Sequence, residues 1–95
     1  MSPSSAATSR HPPVLVYMKS WCPYCQRAQA LLARKGVDAE LIDIEAHSEQ
    51  RAIMVERSGR STVPQIFIGG QHVGGSDDLH ALDAAGRLDA LLTQA

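Results

Sequence analysis

The sequence predicts an α/β domain in which a four-stranded mixed sheet is flanked by helices. The first observation is that short apolar runs alternate with segments of helical spacing, in the order strand, helix, strand, helix, strand, strand, helix, helix. The second is the length of 95 residues, which suits one domain with a single hydrophobic core.

The first half of the domain is predicted to be a strand-helix-strand unit. Residues 13–18 form a nearly continuous apolar run, which is typical of a strand buried on both faces. A helix is expected to begin at Pro23, because proline fits the first helical turn, and to end at Gly36. Residues 38–44 are predicted to form a second strand parallel to the first.

The middle of the chain is predicted to form a second helix and then a hairpin. Residues 48–58 form the helix, which ends at Gly59. Residues 64–68 and 71–73 are expected to pair as antiparallel strands, because the Gly69-Gly70 dipeptide between them favours a tight turn.

Two helices are expected to complete the domain. Ser76 is the predicted N-cap of the first, because Asp77 and Asp78 follow it where acidic side chains favour a helix start. That helix runs to Gly86, and residues 88–93 form a short terminal helix.

Residues 1–12 are rich in serine, alanine and proline and lack periodicity, so they are predicted to be a disordered tail before a domain of residues 13–95. The tail has no apolar segment of the kind that a secretory signal needs. A net charge of -1 argues against nucleic-acid binding, and no apolar run approaches the roughly 20 residues of a membrane span. We therefore expect a cytoplasmic protein.

The only cysteines, Cys22 and Cys25, flank a Pro-Tyr dipeptide at the predicted junction of strand and helix. Two thiols at this spacing can close and reopen a small disulfide, which is the basis of thiol-disulfide exchange. The partial positive charge of a helix N-terminus favours an anion, and Lys19 and Arg27 add positive charge nearby. We expect Cys22 to be the thiolate nucleophile and Cys25 the resolving thiol.

A plain disulfide, or half of a zinc site, is the alternative for this cysteine pair. A zinc site needs about four ligands. The four histidines are scattered without ligand spacing, and each is interpreted as a solvated surface residue: His11, His47, His72 and His80. No metal is therefore expected.

Thr62-Val63-Pro64 is a second motif, in which a proline precedes a predicted strand. A cis bond after Val63 would explain it, and would present the backbone of Val63 to an extended peptide. The alternative is a trans proline that only starts the strand.

Residues 74–78, Gly-Gly-Ser-Asp-Asp, are a third motif. Glycines allow a ligand to approach the backbone closely, the helix N-terminus offers N–H groups to a carboxylate, and Asp77 or Asp78 could hold an ammonium group. An ordinary hairpin end followed by a capped helix is the alternative.

Taken together, the three motifs resemble the glutaredoxin family, specifically its short bacterial dithiol type, the glutaredoxin 3 group. The resemblance covers residues 13–95. It implies a thioredoxin fold, a cis Pro64, and a groove for glutathione as co-substrate.

The resemblance also implies a role for each groove residue. The glycine carboxylate of glutathione meets Lys19 and Arg60, its cysteinyl part meets Tyr24, and its backbone pairs with Val63 beside Thr62 and Pro64. Its γ-glutamyl end is received by Gly75, Ser76, Asp77 and Asp78.

The implied enzyme reduces protein-glutathione mixed disulfides through Cys22, and protein disulfides through Cys22 and Cys25. Its partners would be glutathione, glutathionylated proteins and disulfide-containing proteins, and we expect it to be a monomer. Ser76 stands where many glutaredoxins carry an additional cysteine, so that thiol is missing here.

Two alternative functions stay open. A tryptophan directly before the first cysteine, here Trp21, is common in thioredoxins. It favours a thioredoxin-like reductant that is recycled by a flavoprotein reductase. The other is an iron-sulfur carrier, in which two chains and two glutathiones share a cluster through Cys22, although Pro23 typically disfavours that assembly.

Overall fold

In the computed structural model, residues 11–93 are described. Four strands and four helices follow one another in the predicted order: β1 Val14–Met18, α1 Pro23–Arg34, β2 Glu40–Asp43, α2 Ser48–Ser58, β3 Gln65–Ile68, β4 Gln71–Gly74, α3 Ser76–Ala84 and α4 Arg87–Leu92. Their ends lie within two residues of the predicted ends, which is the usual uncertainty of element boundaries.

The predicted disordered tail falls mostly on residues 1–10, which lie outside the described residues. His11 and Pro12, its last two residues, contact the domain. The Nε2 atom of His11 accepts a hydrogen bond from the backbone N–H of Asp38 at 3.1 Å, and Pro12 is buried.

The sheet has the strand order β2-β1-β3-β4. β1 is parallel to β2 and antiparallel to β3, and β4 closes the hairpin with β3. The sheet is therefore mixed, with the first strand at its centre, as predicted. Phe67 lies opposite His72 in the register that the Gly69-Gly70 turn sets, and the pairing becomes irregular beyond it, so that Ile66 lies opposite Gly74.

Alternate residues of the central strands face opposite sides of the sheet. On one side, Val14, Val16 and Ile66 pack against apolar residues of α1, α3 and α4. On the other side, Tyr17 and Phe67 pack with residues of α2 and its surroundings. Three helices thus cover one face of the sheet and one helix covers the other. The junction of β1 and α1 directly follows a strand that is packed on both faces.

The start of α3 corrects one prediction. Gly75, with extended backbone, is the N-cap, and Ser76 is the first helical residue. The carboxylate of Asp78 accepts the N–H of Gly75 at 2.9 Å, whereas the hydroxyl of Ser76 is buried toward His80. The acidic side chain, and not the serine, therefore satisfies the helix start.

Within residues 11–93, no helix is both long enough and apolar enough to cross a membrane.

Candidate active site

The two thiols lie at the N-terminus of α1, directly after the central strand. Cys22 is the N-cap, Pro23 occupies the first turn, and both cysteines are free. The Sγ atom of Cys22 accepts the backbone N–H of Cys25 at 3.3 Å. An N–H at a helix start stabilises a thiolate in this position, because it lacks a partner within the helix.

Both thiols are buried, Cys25 completely. Cys22 is 5% exposed and Cys25 is 0% exposed. Burial raises the pKa of Cys25 to about 12, and a hydrogen bond with the side chain of Cys22 acts in the same direction. Cys25 is therefore held as a thiol at neutral pH, which leaves Cys22 as the better placed nucleophile.

The Thr62-Val63-Pro64 segment lies against the first cysteine. Its Val63-Pro64 peptide bond is cis, as the sequence analysis expected. The thiol of Cys22 points toward the carbonyl oxygen of Val63, with 3.9 Å between Sγ and O. A peptide-like ligand aligned with the backbone of Val63 would thus lie next to the reactive sulfur.

A groove of about 330 Å³ extends from this segment. It brings together two of the predicted motifs, since a Cβ placed on Gly75 would lie 3.5 Å from the carbonyl oxygen of Pro64. All predicted glutathione-binding residues except Lys19 line it: Tyr24, Arg60, Thr62, Val63, Pro64, Gly75, Ser76, Asp77 and Asp78. The remaining lining residue is Gln65.

Charged groups of opposite sign meet at this groove. The Nη1 atom of Arg60 lies 2.9 Å from Oδ2 of Asp78. Hydrogen bonds from the N–H of Gly75 and from Arg60 lower the pKa of the Asp78 carboxyl, so it is ionised at neutral pH. The groove therefore offers a cation and an anion to a zwitterionic ligand.

Lys19 lies outside the groove lining. Its Nζ atom is 5.3 Å from the ring centroid of Trp21, which is 63% exposed. The indole N–H of Trp21 in turn donates to Oε1 of Glu45 at 2.7 Å. These contacts place Lys19 and Trp21 beside Cys22, in the loop that precedes α1.

Sequence reasoning missed Gln65 and misjudged His72. Gln65 is 1% exposed, and its Oε1 lies 2.7 Å from Nε2 of His72. His72 is half-buried with its ring 5.0 Å from that of Phe67, so it is not a solvated surface residue. The sequence signal for a buried Gln65 is its position directly before the apolar Ile-Phe-Ile run.

The other histidines vary in exposure. His47 is exposed as predicted, but His11 and His80 are half-buried, and the Nδ1 atom of each lies within hydrogen-bond distance of a neighbouring backbone carbonyl. Across residues 11–93, no cluster of three or more His, Cys, Asp or Glu side chains could hold a metal ion.

A larger groove of about 500 Å³ lies elsewhere, between β4 and the helices α3 and α4. It is lined by Gln71, His72, Val73, Asp78, Ala81, Leu82, Ala85, Arg87 and Leu91. We place the site at the smaller groove because Val63, which lines it, contacts Cys22.

Comparisons with known proteins agree with this geometry. The family model described as Glutaredoxin matches residues 14–73. The chain is 57% identical over 82 residues to a glutaredoxin of Pseudomonas aeruginosa, covering 86% of this chain and 98% of that one. It is 57% identical over 79 residues to glutaredoxin 3 of Escherichia coli, covering 83% and 95%.

Among solved structures, the crystal structure of a buckwheat glutaredoxin-glutathione complex is similar, with a TM-score of 0.81 and 29% sequence identity. The match covers 97% of this chain and 86% of that one. The four-stranded mixed sheet with flanking helices is therefore a thioredoxin fold, as the sequence analysis expected.

Proposed function

This chain belongs to the glutaredoxin family of thiol-disulfide oxidoreductases, and from that premise we propose that it is a glutathione-dependent reductase of protein-glutathione mixed disulfides. Protein disulfides are its second proposed substrate class. Its partners are then glutathione and the proteins that carry these disulfides.

The observation that carries the proposal is the position of Cys22 beside the groove. The reactive sulfur lies 3.9 Å from the carbonyl oxygen of Val63, and the groove continues from Val63 to the charged pair of Arg60 and Asp78. Glutathione has a thiol at its centre and charged groups at both ends. Its sulfur would face Cys22 when its ends occupy the groove, and the similar buckwheat glutaredoxin forms a complex with glutathione.

The proposed roles of the groove residues follow from their chemistry. Arg60 suits the glycine carboxylate of glutathione, and Asp78 and Asp77 suit the γ-glutamyl ammonium group. Thr62 and Val63 offer backbone groups to the peptide part of the ligand. Lys19 reaches the glycine carboxylate only if its flexible side chain leaves the face of Trp21.

Both half-reactions with a glutathionylated protein are thiol-disulfide exchanges. The Cys22 thiolate attacks the glutathione sulfur of a glutathionylated protein, the new disulfide joins Cys22 to glutathione, and the protein leaves as a thiolate that takes up a proton. A second glutathione thiolate then attacks the glutathione sulfur of this mixed disulfide. Oxidised glutathione is released, and Cys22 leaves as a thiolate again.

For protein disulfides we propose that both cysteines react. Cys22 forms a mixed disulfide with the substrate, and Cys25 attacks the sulfur of Cys22 to release the reduced protein. The product is a Cys22-Cys25 disulfide, which two glutathiones reduce. Because the thiol of Cys25 is buried with a pKa near 12, it must lose its proton as it attacks.

We further propose that the protein acts as a monomer in the cytoplasm. A reducing compartment keeps a pair of cysteines available as thiols between turnovers. The groove and both cysteines belong to one chain, so the proposed reactions need no second copy.

The decisive experiment is reduction of a glutathionylated peptide with two recycling systems. We expect turnover with glutathione plus glutathione reductase and none with a thioredoxin reductase system. Turnover only with the thioredoxin reductase would contradict the proposal and make Trp21 the better guide to function. A brown, dimeric product of anaerobic purification would instead favour an iron-sulfur carrier.

A further inference from the structure

Behind the groove, a chain of hydrogen bonds connects strand β4 to Thr62. His72 Nε2 lies 2.7 Å from Oε1 of Gln65. The Nε2 atom of Gln65 donates to the carbonyl oxygen of Thr62 at 3.0 Å and to its hydroxyl at 3.3 Å. We refer to His72, Gln65 and Thr62 as the relay.

From these contacts we propose that His72 is a positioning residue, which acts through Gln65 to hold Thr62 in the shape that binds glutathione. The proposal rests on the proposed function, and assigns part of glutathione affinity to a residue that does not line the groove.

The geometry explains how the histidine reaches the site. Phe67 pairs with His72 across the β3-β4 hairpin, and Gln65 lies two residues before Phe67 on the same face of β3. A residue diagonal to His72 is within reach of its ring. The imidazole therefore bonds to Gln65 while its ring contacts Phe67, with 5.0 Å between the ring centroids.

The hydrogen bonds determine how the amide of Gln65 is oriented and which nitrogen of His72 carries a proton. Both Thr62 atoms are acceptors toward Gln65, so the amide nitrogen of Gln65 must face them and its oxygen must face His72. His72 then has to donate, which requires a proton on Nε2. Burial lowers the pKa of His72, Arg60 acts in the same direction and Asp78 opposes it, so the neutral Nε2–H form is favoured at neutral pH.

The ring of Phe67, which contacts His72, is itself in contact with Arg57. The guanidinium of Arg57 lies 4.3 Å from the ring centroid of Phe67 and donates to the hydroxyl of Tyr17 at 3.1 Å. Phe67 is thus held between Arg57 and the ring of His72.

Two substitutions of His72 separate positioning from packing. His72→Phe keeps a ring against Phe67 but removes the donor to Gln65, whereas His72→Gln keeps an N–H donor. His72→Phe would leave the buried Oε1 atom of Gln65 without a donor, which should lower the population of the conformation that holds Thr62 by on the order of tenfold. We expect His72→Phe to raise the KM for glutathione by roughly threefold to tenfold, and His72→Gln to restore most of it.

The expected signature is a split between kinetic parameters. The kcat at saturating glutathione, and the rate at which iodoacetamide alkylates Cys22, should stay within about twofold of the unsubstituted protein, because the relay does not touch the sulfur. His47→Phe, at an exposed histidine, is the matched control and should leave the KM unchanged. An unchanged KM in a natively folded His72→Phe protein, or equal impairment by His72→Gln, would overturn the inference.

A measurement on the unsubstituted protein does not depend on how well the variants fold. A long-range ¹H–¹⁵N spectrum should show the proton of neutral His72 on Nε2, and a proton on Nδ1 would overturn the relay. The two proposals fail differently. If the unsubstituted protein shows no turnover with glutathione, the proposed function fails; if it turns over and only the variant results differ from expectation, the relay alone fails.

Discussion

The guanidinium of Arg60 and the carboxylate of Asp78 form a salt bridge at the groove, with 2.9 Å between Nη1 and Oδ2. The family resemblance implies that these two residues bind opposite ends of glutathione. If both roles are correct, binding replaces one internal ion pair by two contacts with the ligand. About half of each side chain is exposed, so breaking the pair costs little.

The salt bridge predicts that Arg60→Gln affects binding more than folding. The free energy of unfolding should fall by less than about 1 kcal/mol, because exposed ion pairs contribute little. The KM for glutathione should rise about tenfold, because a charge-assisted hydrogen bond to its carboxylate is lost. Arg51→Gln, at an exposed arginine outside the groove, is the control for both measurements. Equal KM values for the two variants would remove Arg60 from the site.

Substitutions of the two cysteines are predicted to affect the reduction of mixed disulfides and of protein disulfides differently. Cys22→Ser should abolish all turnover, because no other sulfur can make the first attack. Cys25→Ser should keep the reduction of a glutathionylated peptide and lose the reduction of a protein disulfide. Both rates are measured with glutathione as reductant. Residual turnover in Cys22→Ser would refute the assignment of the nucleophile.

The buried thiol of Cys25 predicts a loss of stability in alkaline solution. Burial raises its pKa from 9.0 to about 12, so between these values the folded protein holds a proton that the unfolded chain releases. The stabilisation is complete below pH 9 and is lost progressively toward pH 12. Urea unfolding of the reduced protein should show a larger decrease from pH 8 to pH 10 than that of Cys25→Ala. Equal decreases would show that Cys25 does not titrate as proposed.

Gly74 is predicted to be essential for the stability of the connection between β4 and α3. Its φ of +122° disfavours a side chain, and an added Cβ would collide with Oδ2 of Asp78. Gly74→Ala should therefore cost more stability than the roughly 1–2 kcal/mol of a left-handed alanine alone. Gly70→Ala, with a φ of +82° and no atom within 4 Å of the added Cβ, is the matched control. Thermal unfolding that ranks Gly70→Ala as equal or worse would contradict this explanation.

Most of the fold could be predicted because its signals are local. The apolar run before Trp21, the proline at the start of α1, and the glycines after α1 and α2 each act within a few residues of their position. The start of α3 was predicted one residue late. Ser76 is a good N-cap by composition, but the Asp78 carboxylate reaches back to the N–H of Gly75 instead.

The long-range contacts of the site could not be predicted from local signals. Arg60 and Asp78 are 18 residues apart, and only the packing of α3 beside the cis-proline segment brings them together. Likewise, His72 lies opposite Phe67 in the register of the Gly69-Gly70 turn, but its diagonal hydrogen bond to Gln65 depends on side-chain orientations that the sequence pattern does not give. The histidine was therefore misread as a surface residue, although its sequence neighbours were assigned correctly.

Trp21 is the single tryptophan of the chain, and it lies directly before Cys22. Its indole is mostly exposed and is fixed by a hydrogen bond to Glu45. A disulfide close to an indole quenches its fluorescence. The tryptophan emission of this protein therefore comes from one place, and it should dim and recover as Cys22 passes between thiol and mixed disulfide, so that each turnover can be followed optically without a label.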